Sequence, residues 1–417
     1  MAEFTFVQLL SRPEFAIFDF APGETHTIAS PEALGTARHL LEVLTAHCLD
    51  ELGFDASDSR THDSQFDSDL TAWCADHVLP LCGDDPSKTK IVNAAVRTAA
   101  VLSDYLYPYH DSTSRTHLAR MSVAGIVLDD FAGHEEAPLF GRYVYDILMG
   151  SEAATERSGW LGFFTRLVRE YIAHFGENDP RAGVLGGEAL FNYISSLENE
   201  KRFNGSIWDV PPHLRPPSTS KHSFHHCCPA GFPRWLRAQS GASAAYIAGL
   251  FHSVPFDYWI PALNPLVRFT DRVNDLMSFS KEILASVNPE GGMDINYVTL
   301  QTLVRRQSGT PSRFGQDGNL YTYRDGLCEI MDELVQVVRE ADRAFVEYPR
   351  HCSEEQRRLW SMDQAARAWT AYKNGHIRMH IDSPRWSTAG LKTAVQDREA
   401  WVKLKADIRG DMKQARI

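Results

Sequence analysis

Apolar residues recur at helical spacing through most of the 417-residue chain, in stretches at roughly 31–53, 66–82, 89–107, 114–133, 138–175, 185–200, 232–256, 262–286, 315–347, 353–380 and 389–413. Helix breakers fall between them: Pro108 follows Tyr107, Gly176 follows Phe175, and the Gly315–Gly318 stretch precedes a helix expected to begin near Asn319. This pattern predicts an all-α chain. Residues 1–30, with Pro13, Pro22, Gly23 and little periodicity, read as an N-terminal extension. No repeat, low-complexity tract or composition break divides the remainder, so residues 31–417 are expected to form one domain. Lys201 to Pro229, rich in Pro, Ser and His, is the largest irregular region and suits either an active-site flap or a surface loop.

Composition narrows the classes. A net charge of −12 argues against a nucleic-acid binder, which would carry a basic stripe, although bridging cations would still let an acidic protein hold a diphosphate. Seven scattered cysteines with no CxxC pair suit a reducing compartment. No apolar run approaches the ~20 residues that span a bilayer, and the N-terminus lacks a leader pattern, so the expectation is a soluble cytoplasmic protein without membrane or nucleic-acid partners.

Within the 262–286 stretch lies Asn274-Asp275-Leu276-Met277-Ser278-Phe279-Ser280-Lys281-Glu282. At ~100° per residue, positions 274, 278 and 282 drift only ~40° per step. An amide oxygen, a hydroxyl and a carboxylate therefore share one helix face. Such all-oxygen donors suit Mg²⁺, which completes its octahedron with water and substrate phosphate. Lys281 lies close to the same face, where its point charge suits a phosphate oxygen. A solvated helix face would show the same residue types, so the context of this row decides its meaning.

That context includes Asp129 and Asp130, which close a markedly apolar helix from Ala119 to Leu128. Two carboxylates there are costly in a core unless coordinated, and lining a cavity relieves the cost. Asp84-Asp85, in CGDDPS, reads as a solvated loop instead. The dipeptides His62-Asp63 and His110-Asp111 are of the kind used by metal phosphohydrolases, but nothing else completes such a site. His225-His226-Cys227-Cys228 lacks a second ligand pair at zinc-finger spacing.

Taken together, these residues resemble the trichodiene synthase family of fungal class I sesquiterpene synthases. NDLMSFSKE is similar to that family's second metal motif and VLDDF to its first. FPRWLRAQSG resembles the helix-break segment holding a diphosphate-sensing arginine, and GHIRMHIDSPRW the C-terminal segment ending in an Arg-Tyr pair. The four motifs occur in family order between 129 and 386, while the first 100 residues match poorly.

The resemblance implies a class I terpene synthase α-helical bundle enclosing an apolar active-site pocket, and a lyase that ionises farnesyl diphosphate and cyclises it for secondary metabolism. Asp129 and Asp130 would form the first metal row, with Asp130 orienting basic residues on closure, and Asn274, Ser278 and Glu282 the second. Three Mg²⁺ ions, with Mn²⁺ as a substitute, would be the cofactors. Arg237, Lys281 and Arg385 would contact the diphosphate. A homodimer is common in that family.

Two positions depart from the family pattern. Gly133 stands where an acid is usual, with Glu135 and Glu136 just beyond, and Trp386 replaces the tyrosine, leaving an indole N–H for a phenol. Trichodiene, longiborneol-type and brasilane-type products all stay open. Prenyl chain elongation is the neighbouring alternative, but it normally uses two aspartate-rich motifs, and the phosphohydrolase is the more distant one.

Overall fold

The computed structural model describes residues 6–21, 30–58, 60, 62–132, 142–147, 149–150, 159–206, 231–285, 296–315, 319–383, 386 and 389–404. Among them the architecture is all-α, with a single isolated β-bridge between Pro311 and Leu320. The helices used below are α1 (Phe6–Leu10), α2 (Pro31–Glu51), α3 (Ser64–His77), α4 (Pro86–Leu106), α5 (Ser112–Val127), α6 (Gly159–Phe175), α7 (Pro180–Ser206), α8 (Phe232–Ser240), α9 (Ser243–Leu250), α10 (Leu263–Ala285), α11 (Tyr297–Gln307), α12 (Tyr323–Asp342), α13 (Met362–Asp382) and α14 (Ala389–Gln396).

Side-chain caps set several of the helix starts. Ser30 accepts from Ala33 N at 3.1 Å with Pro31 next in line, and Asp63 accepts from Gln65 N at 3.0 Å. Asp85 accepts from Ser87 N at 2.8 Å and Asp111 from Ser114 N at 2.8 Å. A cap satisfies backbone donors that the first turn leaves open. Asp85 is thus a cap rather than a loop residue, and the aspartates of both His-Asp dipeptides are committed in the same way. His62 bonds Asp104 Oδ2 at 2.8 Å and His110 Nε2 donates to Gly249 O at 3.0 Å, so neither pair assembles a two-metal hydrolase site.

α4 packs between α5, α3 and α13; α10 packs against α12, α9 and α13; and α7 packs against α6, α8 and α9. One apolar core runs through all of these helices except α8, whose Leu236 packs with Leu300, Leu303 and Val304 of α11 in a second cluster. The α4–α13 crossing is close enough that a Cβ on Gly375 would overlap the Tyr105 carbonyl oxygen. Gly375→Ala should force the two helices apart and cost about 1–3 kcal/mol in urea denaturation.

Residues 6–20 join this core. Phe6, Leu9, Leu10, Phe15, Phe18 and Phe20 are buried, and the buried Arg324 donates to Leu10 O (2.6 Å), Arg12 O (3.0 Å) and Asp19 Oδ2 (2.9 Å). Three further differences from the expected segments have local causes. The 232–256 stretch is broken at Gly241-Ala242, where Ala242 is left-handed (φ 48°) and a Cβ on Gly241 would overlap the Asp271 carboxylate. The helix expected from Asn319 begins at Tyr323, after the bridge, with Thr322 and Asp325 forming a capping box. α11 was not anticipated, because Thr299, Gln301 and Thr302 interrupt its apolar pattern and yet are buried.

At the start of α5, histidines from four segments meet. His117 stacks on His174 at 4.6 Å, His110 lies 5.1 Å from His252, and His110 Nε2 and His252 Nδ1 both bond Gly249 O at 3.0 Å. Burial holds His110 and His117 down at about 4. Between that value and the ordinary 6.5 the unfolded chain binds protons that the native one refuses, so this stability is present above pH 6.5 and lost as pH falls toward 4. His110 alone should account for up to about 3 kcal/mol of the loss. Denaturation at pH 7 and 4.5 checks this: His110→Asn, which keeps a donor for Gly249 but does not titrate there, should flatten the dependence.

Candidate active site

α5 is buried along Leu118, Ala119, Met121, Val123 and Ala124, then widens at Leu128–Ala132 into a π-helical turn. Tyr193 Oη donates to Gly125 O at 2.8 Å, one turn before the widening. π-helical turns are rare and concentrate at functional sites. Asp129 and Asp130 lie on this one. Both are exposed, and both line the mouth of a cavity. Gly133, Glu135 and Glu136 lie outside the described residues.

α10 supplies the facing wall. Asn274, Ser278 and Lys281 line the same cavity, Ser278 buried and Lys281 exposed. Glu282 falls one turn beyond Ser278 on α10, although its side chain lies outside the described part. Arg237, in the last turn of α8, lines the cavity beside α10. Its Nε donates to Asp275 Oδ1 at 2.7 Å and its Nη2 to Asn274 Oδ1 at 3.1 Å. Arg385 lies outside the described residues, as do His225 to Cys228.

Asp275 is a residue that spacing alone did not single out. Its other oxygen, Oδ2, accepts from the buried Arg272 at 2.7 Å. Arg272 in turn lies 3.1 Å from Glu333, which accepts from Arg268 at 2.7 Å, and its guanidinium sits 3.5 Å from the centroid of the Tyr297 ring. Ion pairs thus tie α8, α10 and α12 together behind the ligand face. One turn earlier, Asp271 accepts from Ser243 Oγ at 2.5 Å, across the α8–α9 break. Burial lifts its carboxyl to about 6 against the pull of Arg237.

α13 closes the cavity with His376, Met379 and His380, followed by Trp386. His380 Nδ1 donates to His376 O at 2.8 Å, and its Nε2 lies 3.2 Å from Asn274 Nδ2. Burial holds the His380 ring down at about 4 and hence neutral. Trp386 packs on it, with ring centroids 4.2 Å apart.

The cavity measures about 520 Å³, within the roughly 300–1,000 Å³ usual for small-molecule sites. Beyond the charged mouth, Leu102, Leu118, Met121, Phe164, Tyr171 and Tyr246 are among its walls. The tyrosine hydroxyls are tied in place: Tyr171 to Ala245 O at 2.5 Å and Tyr246 with Ser122 Oγ at 3.1 Å. Burial raises both phenols, so they stay protonated at neutral pH. Tyr105, Tyr107, Phe251, Trp259 and Trp369 pack in the core and none of them lines the cavity. Tyr171 on α6 and Tyr246 on α9 are among the aromatics that do, and nothing in their local sequence separates them from core tyrosines.

The cavity lining thus offers aspartate carboxylates, an amide oxygen and a hydroxyl, with Arg237 and Lys281 among the same residues. Among the described residues, no three His, Cys, Asp or Glu side chains converge as a metal cluster. A cation held here would therefore need oxygens from Asn274 and Ser278 as well. Such hard oxygen donors fit Mg²⁺ rather than zinc.

No family model and no curated protein matches this chain. Among solved structures, it is similar to the linalool/nerolidol synthase from Streptomyces clavuligerus, with a TM-score of 0.53 and 15% identity, over 78% of this chain and 99% of that one. The likeness establishes the fold. This chain shares the all-α bundle of that synthase. At this identity the comparison carries the architecture and leaves the chemistry to the site. Within that bundle, Asp129, Asp130, Asn274, Ser278 and Arg237 line one cavity.

Proposed function

We propose that this chain is a sesquiterpene synthase of the trichodiene synthase kind, which ionises farnesyl diphosphate with Mg²⁺ and cyclises the released chain to a hydrocarbon or alcohol. The observation that carries the reading is the shared cavity: Asp129, Asp130, Asn274, Ser278, Lys281 and Arg237 all line it. Neither row implies this chemistry alone.

Bound Mg²⁺ would supply the positive charge against which diphosphate leaves. The chain's own residues do the rest. Asp129, Asp130, Asn274 and Ser278, with Glu282, are the oxygens to hold it. Lys281 and Arg237 are placed to take phosphate oxygens. For Arg237 this means turning Nη2 away from Asn274 Oδ1 while Nε keeps its 2.7 Å bond to Asp275. Arg385 is proposed as a further diphosphate contact from its position in the C-terminal motif.

Water must be kept from an allylic cation, and the apolar walls serve that end. Tyr171 and Tyr246, which line the cavity with their hydroxyls bonded in place, are the rings proposed to stabilise passing positive charge.

Incubating the purified protein with C10, C15 and C20 prenyl diphosphates and Mg²⁺, and analysing the volatiles, tests the proposal. The expected result is a sesquiterpene from the C15 substrate, abolished by a chelator. No terpene from any of the three would overturn it.

A further inference from the structure

Asparagine is a hazardous metal ligand, because its oxygen and NH2 group are nearly the same size and only one of them can face a cation. The Asn274 amide is flanked by partners that permit one orientation. Arg237 Nη2 lies 3.1 Å from Oδ1, and a guanidinium only donates. On the other side Nδ2 lies 3.2 Å from His380 Nε2. The opposite ring nitrogen, Nδ1, is 2.8 Å from the His376 carbonyl oxygen. A carbonyl only accepts, so Nδ1 carries the ring proton. With Oδ1 held by Arg237, the group facing Nε2 is the NH2, which only donates, so Nε2 accepts and the ring is neutral.

The bonds therefore run in one direction, from the Asn274 NH2 group to His380 Nε2 and from His380 Nδ1–H to the α13 backbone. The histidine is itself held firmly. It is 0% exposed, with His376 edge-on at 4.6 Å and Trp386 packed at 4.2 Å.

We propose that His380 is a positioning residue for Asn274: by accepting from the amide NH2 it keeps the amide oxygen turned to the cavity, where a divalent cation would be held. The proposal rests on the reading of Asn274 as a metal ligand. It adds a second residue, 106 positions away on another helix, to the work of that ligand. Without an acceptor at Nε2, the amide is free to flip when Arg237 turns toward a diphosphate, and the row then presents N–H to the metal for part of the time. Partners that orient first-sphere ligands are commonly worth 10–100-fold in metal affinity.

The test follows Mg²⁺ binding by the full-length protein in the presence of inorganic diphosphate, read as thermal stabilisation and needing no turnover. His380→Leu, which removes the acceptor, is expected to weaken apparent Mg²⁺ affinity by about 10–100-fold. His380→Gln, whose amide oxygen can accept in the same place, is expected to retain most of it. The deciding arm is Asn274→Asp, which has no amide to orient. In that background His380→Leu should change affinity by no more than about twofold, the scatter of independent substitutions.

An equal loss in both backgrounds would show that His380 only fills space and would overturn the inference, as would no loss in either. Should His380→Leu fail to fold, a His380→Gln variant as weak as Asn274→Ala overturns it instead. Absence of any Mg²⁺-dependent stabilisation in the unaltered protein would remove the metal reading itself, a separate outcome.

Discussion

Asn274→Ala is expected to lower kcat/KM for farnesyl diphosphate by at least about 10²–10³-fold, the loss typical of removing one group that stabilises developing charge. Its oxygen belongs to the second row, and its amide also joins Arg237, at 3.1 Å, to His380, at 3.2 Å. Alanine removes both the ligand and the joint. Because the amide is on the cavity wall rather than in the apolar core, the melting temperature without Mg²⁺ should change little. Diphosphate release measured beside thermal unfolding separates the two effects. A variant as active as the original protein would mean that the Asn274 face of α10 is only a polar surface. Glu136→Ala should cost less than Asn274→Ala; equal losses would assign a metal-binding role to that glutamate as well.

Asp275→Ala is expected to produce the largest loss of stability, about 3–5 kcal/mol in urea denaturation. Its side chain is only 4% exposed and takes Arg237 on one oxygen and Arg272 on the other, each at 2.7 Å. Removal leaves a guanidinium that is itself 2% exposed with Glu333 as its remaining acidic partner in the network. The cost comes from stranding buried charge rather than from losing an attraction. The contrast is Asp257, an exposed carboxylate 2.8 Å from Arg181, where alanine should cost less than about 1 kcal/mol. If the two substitutions cost the same, the network behind α10 is hydrated and does not set the position of Arg237.

The helical class was legible because apolar residues at 3.6-residue spacing cannot be arranged otherwise without exposing them, and α2, α4, α10 and α13 kept that spacing. That Asn274 and Ser278 share one face of α10 was legible for the same reason, since helix geometry alone sets it. Resemblance to a family then suggested pairing it with Asp129 and Asp130. Asp275 was not legible as an anchor: its partners Arg237 and Arg272 come from α8 and from its own helix, and only packing shows that Asp275 and Arg272 are buried together. The cavity aromatics were hidden likewise. Tyr171 and Tyr246 differ from core residues such as Tyr107 only by which side of their helices faces the cavity. The break at Gly241-Ala242 depends on the Asp271 carboxylate, 30 residues downstream of Gly241, and local propensity could not place it.

If the two rows form one clamp across the cavity, an anomalous-difference map from crystals grown with Mn²⁺ and inorganic diphosphate should show metal peaks within coordination distance of Asp129 on one side and of Asn274 and Ser278 on the other. Diphosphate should lie between them, with Arg237 Nη2 turned onto it. Peaks confined to one row, or diphosphate bound away from both, would contradict the clamp.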